Sequence, residues 1–181
     1  MSLTQDQRDF YSTHGYIHVE GMFTREECAT LRGEIHALAE RLGNPDATWA
    51  SVRSTGTKIT HCHDVQFEIA AVTRLLTDPR FAGVAQAIIG PNVQLHHTKM
   101  FIKPPENGSP FPMHQDYFYF PHAGTSMTAA IMHFDDAPIE KGCLRVVPGS
   151  HKLGPIEAVG EDRHLPGYAI EDATPIPAKA G

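Results

Sequence analysis

Phe111-Pro112-Met113-His114-Gln115-Asp116-Tyr117-Phe118-Tyr119-Phe120-Pro121 is the stretch whose reading decides the fold. It is aromatic and strand-like, with a histidine and a carboxylate two residues apart. Side chains on a β-strand alternate faces with a period of two, so a strand here would aim His114 and Asp116 into one pocket. An imidazole and a carboxylate on one face are two of the three protein ligands that hold non-haem Fe(II) in a 2-His-1-carboxylate site. His-x-Asp is a short pattern, and the chain contains a second copy, His133-Phe134-Asp135. The triplet therefore takes its meaning from its surroundings.

The totals describe an ordinary globular chain. With 181 residues, 41% hydrophobic and 20% charged, it reads as a single domain, 1–181, large enough for a proper core. The net charge of −6 carries no long run of one sign. That argues against nucleic acid and against a membrane surface as partners. No apolar run approaches the ~18–20 residues that span a bilayer, and Met1–Asp6 lacks the basic and apolar regions of a signal peptide. The three scattered cysteines, Cys28, Cys62 and Cys143, read as free thiols, and the expected compartment is cytoplasmic.

Taken in order, Thr4 with Gln7 and Thr24 with Glu27 form two capping boxes, each opening a helix. His14-Gly15 closes the first, Gly15 suiting the left-handed position after a helix. Tyr16 to Glu20 alternates and reads as a strand. Behind the second box, Cys28, Leu31, Ile35, Leu38 and Leu42 make one apolar stripe. Residues 46–66 are polar and read as an irregular loop near an active-site mouth. Their cluster His61-Cys62-His63-Asp64 has ligand residue types but lacks a second pair at finger-like spacing. Helical periodicity returns through Ile69, Val72, Leu75 and Leu76, and Asp78-Pro79 starts a further helix that stops at Gly90-Pro91. From Val93 the pattern turns to strands: 93–103, the opening stretch, 128–134 and 144–147, closed by Pro148-Gly149-Ser150-His151. Beyond Lys152 no element is assigned. A helical half (about 1–92) followed by a strand half (about 93–181) predicts an α+β fold, with helices flanking a β-sandwich or jelly roll.

Three segments agree in order and spacing: Glu20–Ile35 (EGMFTREECATLRGEI), the opening stretch, and Glu140–Lys152 (EKGCLRVVPGSHK). Together they resemble the phytanoyl-CoA dioxygenase family of Fe(II)/2-oxoglutarate oxygenases, from about Thr4 to Lys152. The resemblance implies a double-stranded β-helix (jelly-roll) core, Fe(II) as cofactor and 2-oxoglutarate as cosubstrate. It implies hydroxylation of a small organic substrate, with 2-oxoglutarate leaving as succinate and CO2. It places the metal at His114 and Asp116, not at His133 and Asp135. A carboxylate at 116, where related halogenases have a small residue, favours hydroxylation. On the cosubstrate side it suggests Lys58, whose alternative is an exposed loop lysine. It also suggests Phe101, whose alternative is plain core, and Gln115, through its backbone. Ile131 falls where several members place a tryptophan and could offer only packing.

The pattern departs from the family after Lys152. The second metal histidine, in its His-Gly-Ser-Gly-like setting, and the arginine about ten residues beyond it have no counterpart here. His151 and Arg163 imitate the spacing, but His151 belongs to the Pro-Gly-Ser-His turn; His164 is no stronger a candidate. The expectation is therefore the N-terminal portion of a jelly-roll oxygenase with an incomplete core. A chain of this length would otherwise cover its sheet another way, for instance as a homodimer. The alternative is a catalytically inactive binding or interaction module with the same fold.

Overall fold

The computed structural model describes residues 2–42, 50–52, 58–103, 111–120, 122, 124, 126–160 and 163–181. There are four α-helices among the described residues: α1 (Gln5–His14), α2 (Arg25–Leu42), α3 (Ala70–Leu76) and α4 (Pro79–Ile89). Five short strands complete the regular structure: β1 (Ala50–Val52), β2 (Lys58–His63), β3 (Lys99–Ile102), β4 (Leu144–Val146) and β5 (Thr174–Ile176). They form two antiparallel sheets, β1-β2-β3 and β4-β5. The expected order of a helical half followed by a strand half is corrected: β1 and β2 lie between α2 and α3. Among the described residues the two sheets do not make up a complete jelly roll.

The helix ends form as their sequences dictate. The Thr4 hydroxyl accepts from the Gln7 amide at 3.2 Å while the Gln7 side chain accepts from the Thr4 amide at 2.9 Å. Thr24 and Glu27 repeat the exchange at 3.1 and 2.7 Å. Gly15 ends α1 at φ 79°, a left-handed conformation that suits glycine. Asp78 caps α4 by accepting from the Arg80 amide at 2.8 Å.

The predicted stripe makes α2 the spine of the core. Cys28 and Leu31 pack with Phe23 and Leu75. One or two turns further on, Ile35 and Leu38 pack with Cys62 from β2, Met100 from β3, and Val65, Ile69 and Val72. The three cysteines are free and buried. Cys62 lies opposite Met100 in the β2–β3 ladder, and His63 lies opposite Lys99. With Cys62 and Met100 facing the core, alternation sends Lys99 and Phe101 to the other face; both are exposed.

Arg80 joins α4 to the start of α2. Its guanidinium donates to Glu27 at 2.8 and 3.1 Å, to Asp78 at 2.8 and 3.0 Å and to the Met22 carbonyl at 3.2 Å. It also lies 4.4 Å from the Phe23 ring centroid. These bonds hold the Glu27 carboxyl down at about 2, against an ordinary 4.5. They hold Asp78 at about 2, against 3.8. Depressed carboxyl pKa values stabilise the fold above the unfolded-state pKa, and that contribution is lost as the pH falls through the folded-state value. Urea unfolding between pH 4.5 and about 2 is expected to show a steep loss of stability that Arg80→Met flattens. Parallel slopes for the two proteins would contradict this.

Several strand expectations are corrected. Residues 16–20 and 128–134 form no strand, and 93–103 shortens to Lys99–Ile102. Residues 111–120 are not a strand either: an extended Gln115 leads into a single 3-10 turn over Asp116–Phe118. The polar segment 46–66, expected as a loop, contributes β1 and β2. Beyond Lys152, where no element was assigned, β5 pairs with β4, Leu144 opposite Ile176. The last residues run beside 133–137. Ala137 and Ala178 exchange bonds at 2.8 and 3.2 Å, and the Gly181 amide donates to His133 O at 3.1 Å. A strand in these places depends on a partner distant in sequence, and alternation alone cannot identify that partner.

Candidate metal centre

His114 and Asp116 converge, although not as neighbours on a strand. The 3-10 turn, closed by Tyr119 and Phe120 amides donating to Asp116 O at 2.9 and 3.0 Å, folds Asp116 back toward the residue two before it. His114 Nε2 stands 3.5 Å from Asp116 Oδ1. On the far edge of the ring, His114 Nδ1 is 2.8 Å from the Pro112 carbonyl. A carbonyl can only accept, so Nδ1 carries the proton, and Nε2 is the ring atom turned toward Asp116. This is the outer-shell arrangement that orients metal-binding histidines. The imidazole edge beside Asp116 holds that carboxyl below its ordinary range; burial opposes the shift, and the charges of His97 and Lys99 reinforce it.

Aromatic rings flank the His114 imidazole. The Tyr119 ring meets the His114 imidazole edge-on at 5.9 Å between centroids, and Phe111 lies 6.5 Å away on another side. Phe101 packs on Phe111 at 5.5 Å. Lys99 Nζ sits 4.5 Å from the Phe101 centroid. The Arg163 guanidinium lies 5.4 Å from the Tyr119 centroid and donates to the Phe118 carbonyl. His97 packs on Phe120 at 4.6 Å and stacks on His63 at 5.9 Å.

The other candidates fall in distinct places. Phe101 is half-exposed and joins the ring chain leading to His114, so it is not plain core. Lys58 opens β2 opposite Val52; its side chain lies outside the described part. Gln115 turns its side chain to residues 154–156, donating to the Gly154 carbonyl at 3.0 Å and accepting from the Ile156 amide at 2.9 Å. That two-point clamp ties the metal segment to the turn after β4. Asp135 is ion-paired with Arg32 of α2 at 2.9 Å, so the second His-x-Asp directs its carboxylate elsewhere. His151 donates through Nε2 to the Ser12 carbonyl at 3.2 Å, docking α1. In the 61–64 cluster Cys62 is buried among apolar side chains; the side chain of His61 lies outside the described part. Ile131 is exposed.

Among the described residues, no group of three or more His, Cys, Asp or Glu side chains could hold a metal ion. The donors present therefore fit two positions of a facial Fe(II) site. Lys99, His97 and Tyr119 are the neighbours that sequence reasoning missed. Strict alternation along 99–102 could have put Lys99 beside Phe101, whereas His97 and Tyr119 reach the site through loop geometry with no short-range signal.

Helices and short antiparallel sheets thus carry a His-x-Asp pair beside aromatic rings. The phytanoyl-CoA dioxygenase (PhyH) family model matches residues 11–181, and the chain belongs to that family. The peroxisomal phytanoyl-CoA dioxygenase of Bos taurus is 28% identical over 168 residues, which are 86% of this chain and 49% of the relative. The ectoine dioxygenase of Halomonas elongata is 30% identical over 158 residues, 83% of this chain and 47% of the relative. The chain thus spans about half the length of these curated relatives. Among solved structures, the epimerase SnoN in complex with Fe3+, alpha-ketoglutarate and a nogalamycin compound superposes with a TM-score of 0.74 at 24% identity, over 98% of this chain and 71% of that one. EctD from S. alaskensis with 2-oxoglutarate and 5-hydroxyectoine gives 0.72 at 22% identity, over 99% and 65%. These superpositions establish the shared fold.

Proposed function

We propose that the chain belongs to an Fe(II)- and 2-oxoglutarate-dependent dioxygenase that hydroxylates a small organic substrate. The observation that carries this reading is the His114 Nε2–Asp116 Oδ1 approach of 3.5 Å, with His114 Nδ1 committed to Pro112 O, in a chain of this family. His114 and Asp116 would hold the iron through Nε2 and a carboxylate oxygen. Bound iron and 2-oxoglutarate together supply the oxidant, 2-oxoglutarate leaving as succinate and CO2. The protein orients the ligands and excludes water. Pro112 fixes the imidazole tautomer, while Phe111 and Tyr119 restrict the ring's rotation. Lys58 and Phe101 are assigned to the cosubstrate side. Gln115 contributes there through its backbone, its amide being engaged by Gly154 and Ile156.

One observation favours a second reading, an inactive binding module of the same fold: the described residues supply two metal donors and no third. Succinate formation from 2-oxoglutarate separates the two. The oxygenase reading expects Fe(II)-dependent succinate from the protein carrying a third ligand and little from the 181-residue chain, because two donors hold Fe(II) weakly. The absence of iron-dependent succinate from every form of the protein would leave the binding module.

A further inference from the structure

Beside the metal segment lies a cavity of about 180 Å3. Its walls include Met113, His114 and Gln115 from the metal segment, Arg145 and Val147 from β4 and the residues following it, and Tyr168. The closing wall is the junction of α1 with the turn after β4. There the Gly149 amide donates to His14 O at 2.8 Å and His151 donates to Ser12 O at 3.2 Å. Gly15 is pressed so closely on His151 that a Cβ would fall 2.2 Å from its Nδ1.

The chain has 21 acidic residues and a net charge of −6, yet among the described residues the cavity is lined by Arg145, His14, His114 and His151 and by no Asp or Glu. The hydroxyl-bearing Ser150, Tyr16 and Tyr168 complete its polar share. Arg145 is part-buried and held in place, its Nη1 donating to the Ile170 and Ala173 carbonyls at 3.3 and 3.0 Å. Those bonds use one nitrogen of a five-donor group. A fixed guanidinium loses little freedom on binding and matches the planar geometry of an oxyanion. The volume is smaller than the ~300 Å3 at which pockets for drug-sized ligands begin.

The geometry points to a small-oxyanion site in this cavity, anchored by Arg145 and taking a carboxylate or phosphate group of a compact ligand. It stands on the cavity and its donors, independently of whether iron binds at His114. Two sources share that chemistry, the carboxylate of a 2-oxo acid cosubstrate and a separate anionic metabolite.

Succinate, its uncharged analogue succinamide and inorganic phosphate, titrated into the metal-free chain, test the site by 1H–15N NMR that includes the Arg145 Nε–Hε signal. Succinate and phosphate are expected to shift that signal and to bind at least ~10-fold more tightly than succinamide, the scale of one charge-assisted pair. Arg145→Met should remove the preference for the acid, and Arg145→Lys should restore part of it. Should Arg145→Met fail to fold, through loss of its bonds to Ile170 and Ala173, the response of the unsubstituted protein's Nε–Hε signal decides. Equal binding of succinamide, a silent Arg145 signal, or a folded Arg145→Met protein that keeps the preference would overturn the site. Adding 2-oxoglutarate with Mn(II) identifies the source: displacement of succinate makes the ligand the cosubstrate, and retention of both makes it a separate anion.

Discussion

His114→Ala abolishes divalent-metal binding at this site, with an expected loss in Mn(II) affinity of at least ~100-fold, beyond the ~10–100-fold that loss of an outer-shell partner costs. Isothermal titration of Mn(II), as an oxygen-insensitive substitute for Fe(II), measures it. The effect is large because the described residues contribute only two donors, so removing one leaves a single carboxylate. Asp116→Ala should match it, leaving a single imidazole. His133→Ala and Asp135→Ala are the informative controls. They alter the other His-x-Asp, whose carboxylate is paired with Arg32, and metal affinity should stay unchanged. Equal losses at the two triplets would show that the metal does not select the pair 3.5 Å apart.

Leu38→Ala is expected to lower the unfolding free energy by about 2–5 kcal/mol, the range for truncating a buried leucine in a core that relaxes only partly. Leu38 is 2% exposed and lies where α2 meets β2, β3 and Val65, Ile69 and Val72. The deleted methyls therefore leave a cavity between the helix and the sheet that carries Lys99 and Phe101. Urea denaturation should show a lower midpoint with an unchanged slope. A loss below ~1 kcal/mol would mean that α2 is not the spine of the core.

The features legible from sequence were those decided within a few residues. Both capping boxes, the Gly15 stop and the Asp78-Pro79 start depend on neighbours at most four positions away. The α2 stripe repeats a period that only a helix satisfies. Strands were harder. β2 is mostly polar, and it pairs because β1 and β3 lie on either side of it. β5 sits in a Pro-punctuated tail and pairs with a strand about thirty residues earlier. His114 and Asp116 meet by a route other than the expected one. Alternation along a strand was to aim His114 and Asp116 together; instead a 3-10 turn brings them there, and the aromatic residues that suggested a strand form the wall around them. The Gln115 clamp was invisible because its partners, Gly154 and Ile156, lie in a stretch with no assigned element. Arg145 carries no sequence signal, because a cation in a β-rich run stands out only beside the cavity it lines.

In the proposed function His114 and Asp116 grip a metal that in turn receives 2-oxoglutarate. Its most direct test is calorimetric titration of 2-oxoglutarate into the chain with Mn(II) present and absent, repeated on His114→Ala. Saturable binding that raises Mn(II) affinity in return, and that vanishes in His114→Ala, is the predicted result, since coupled ligands must reinforce each other reciprocally. Binding that leaves the Mn(II) affinity unchanged, or that survives in His114→Ala, would contradict it.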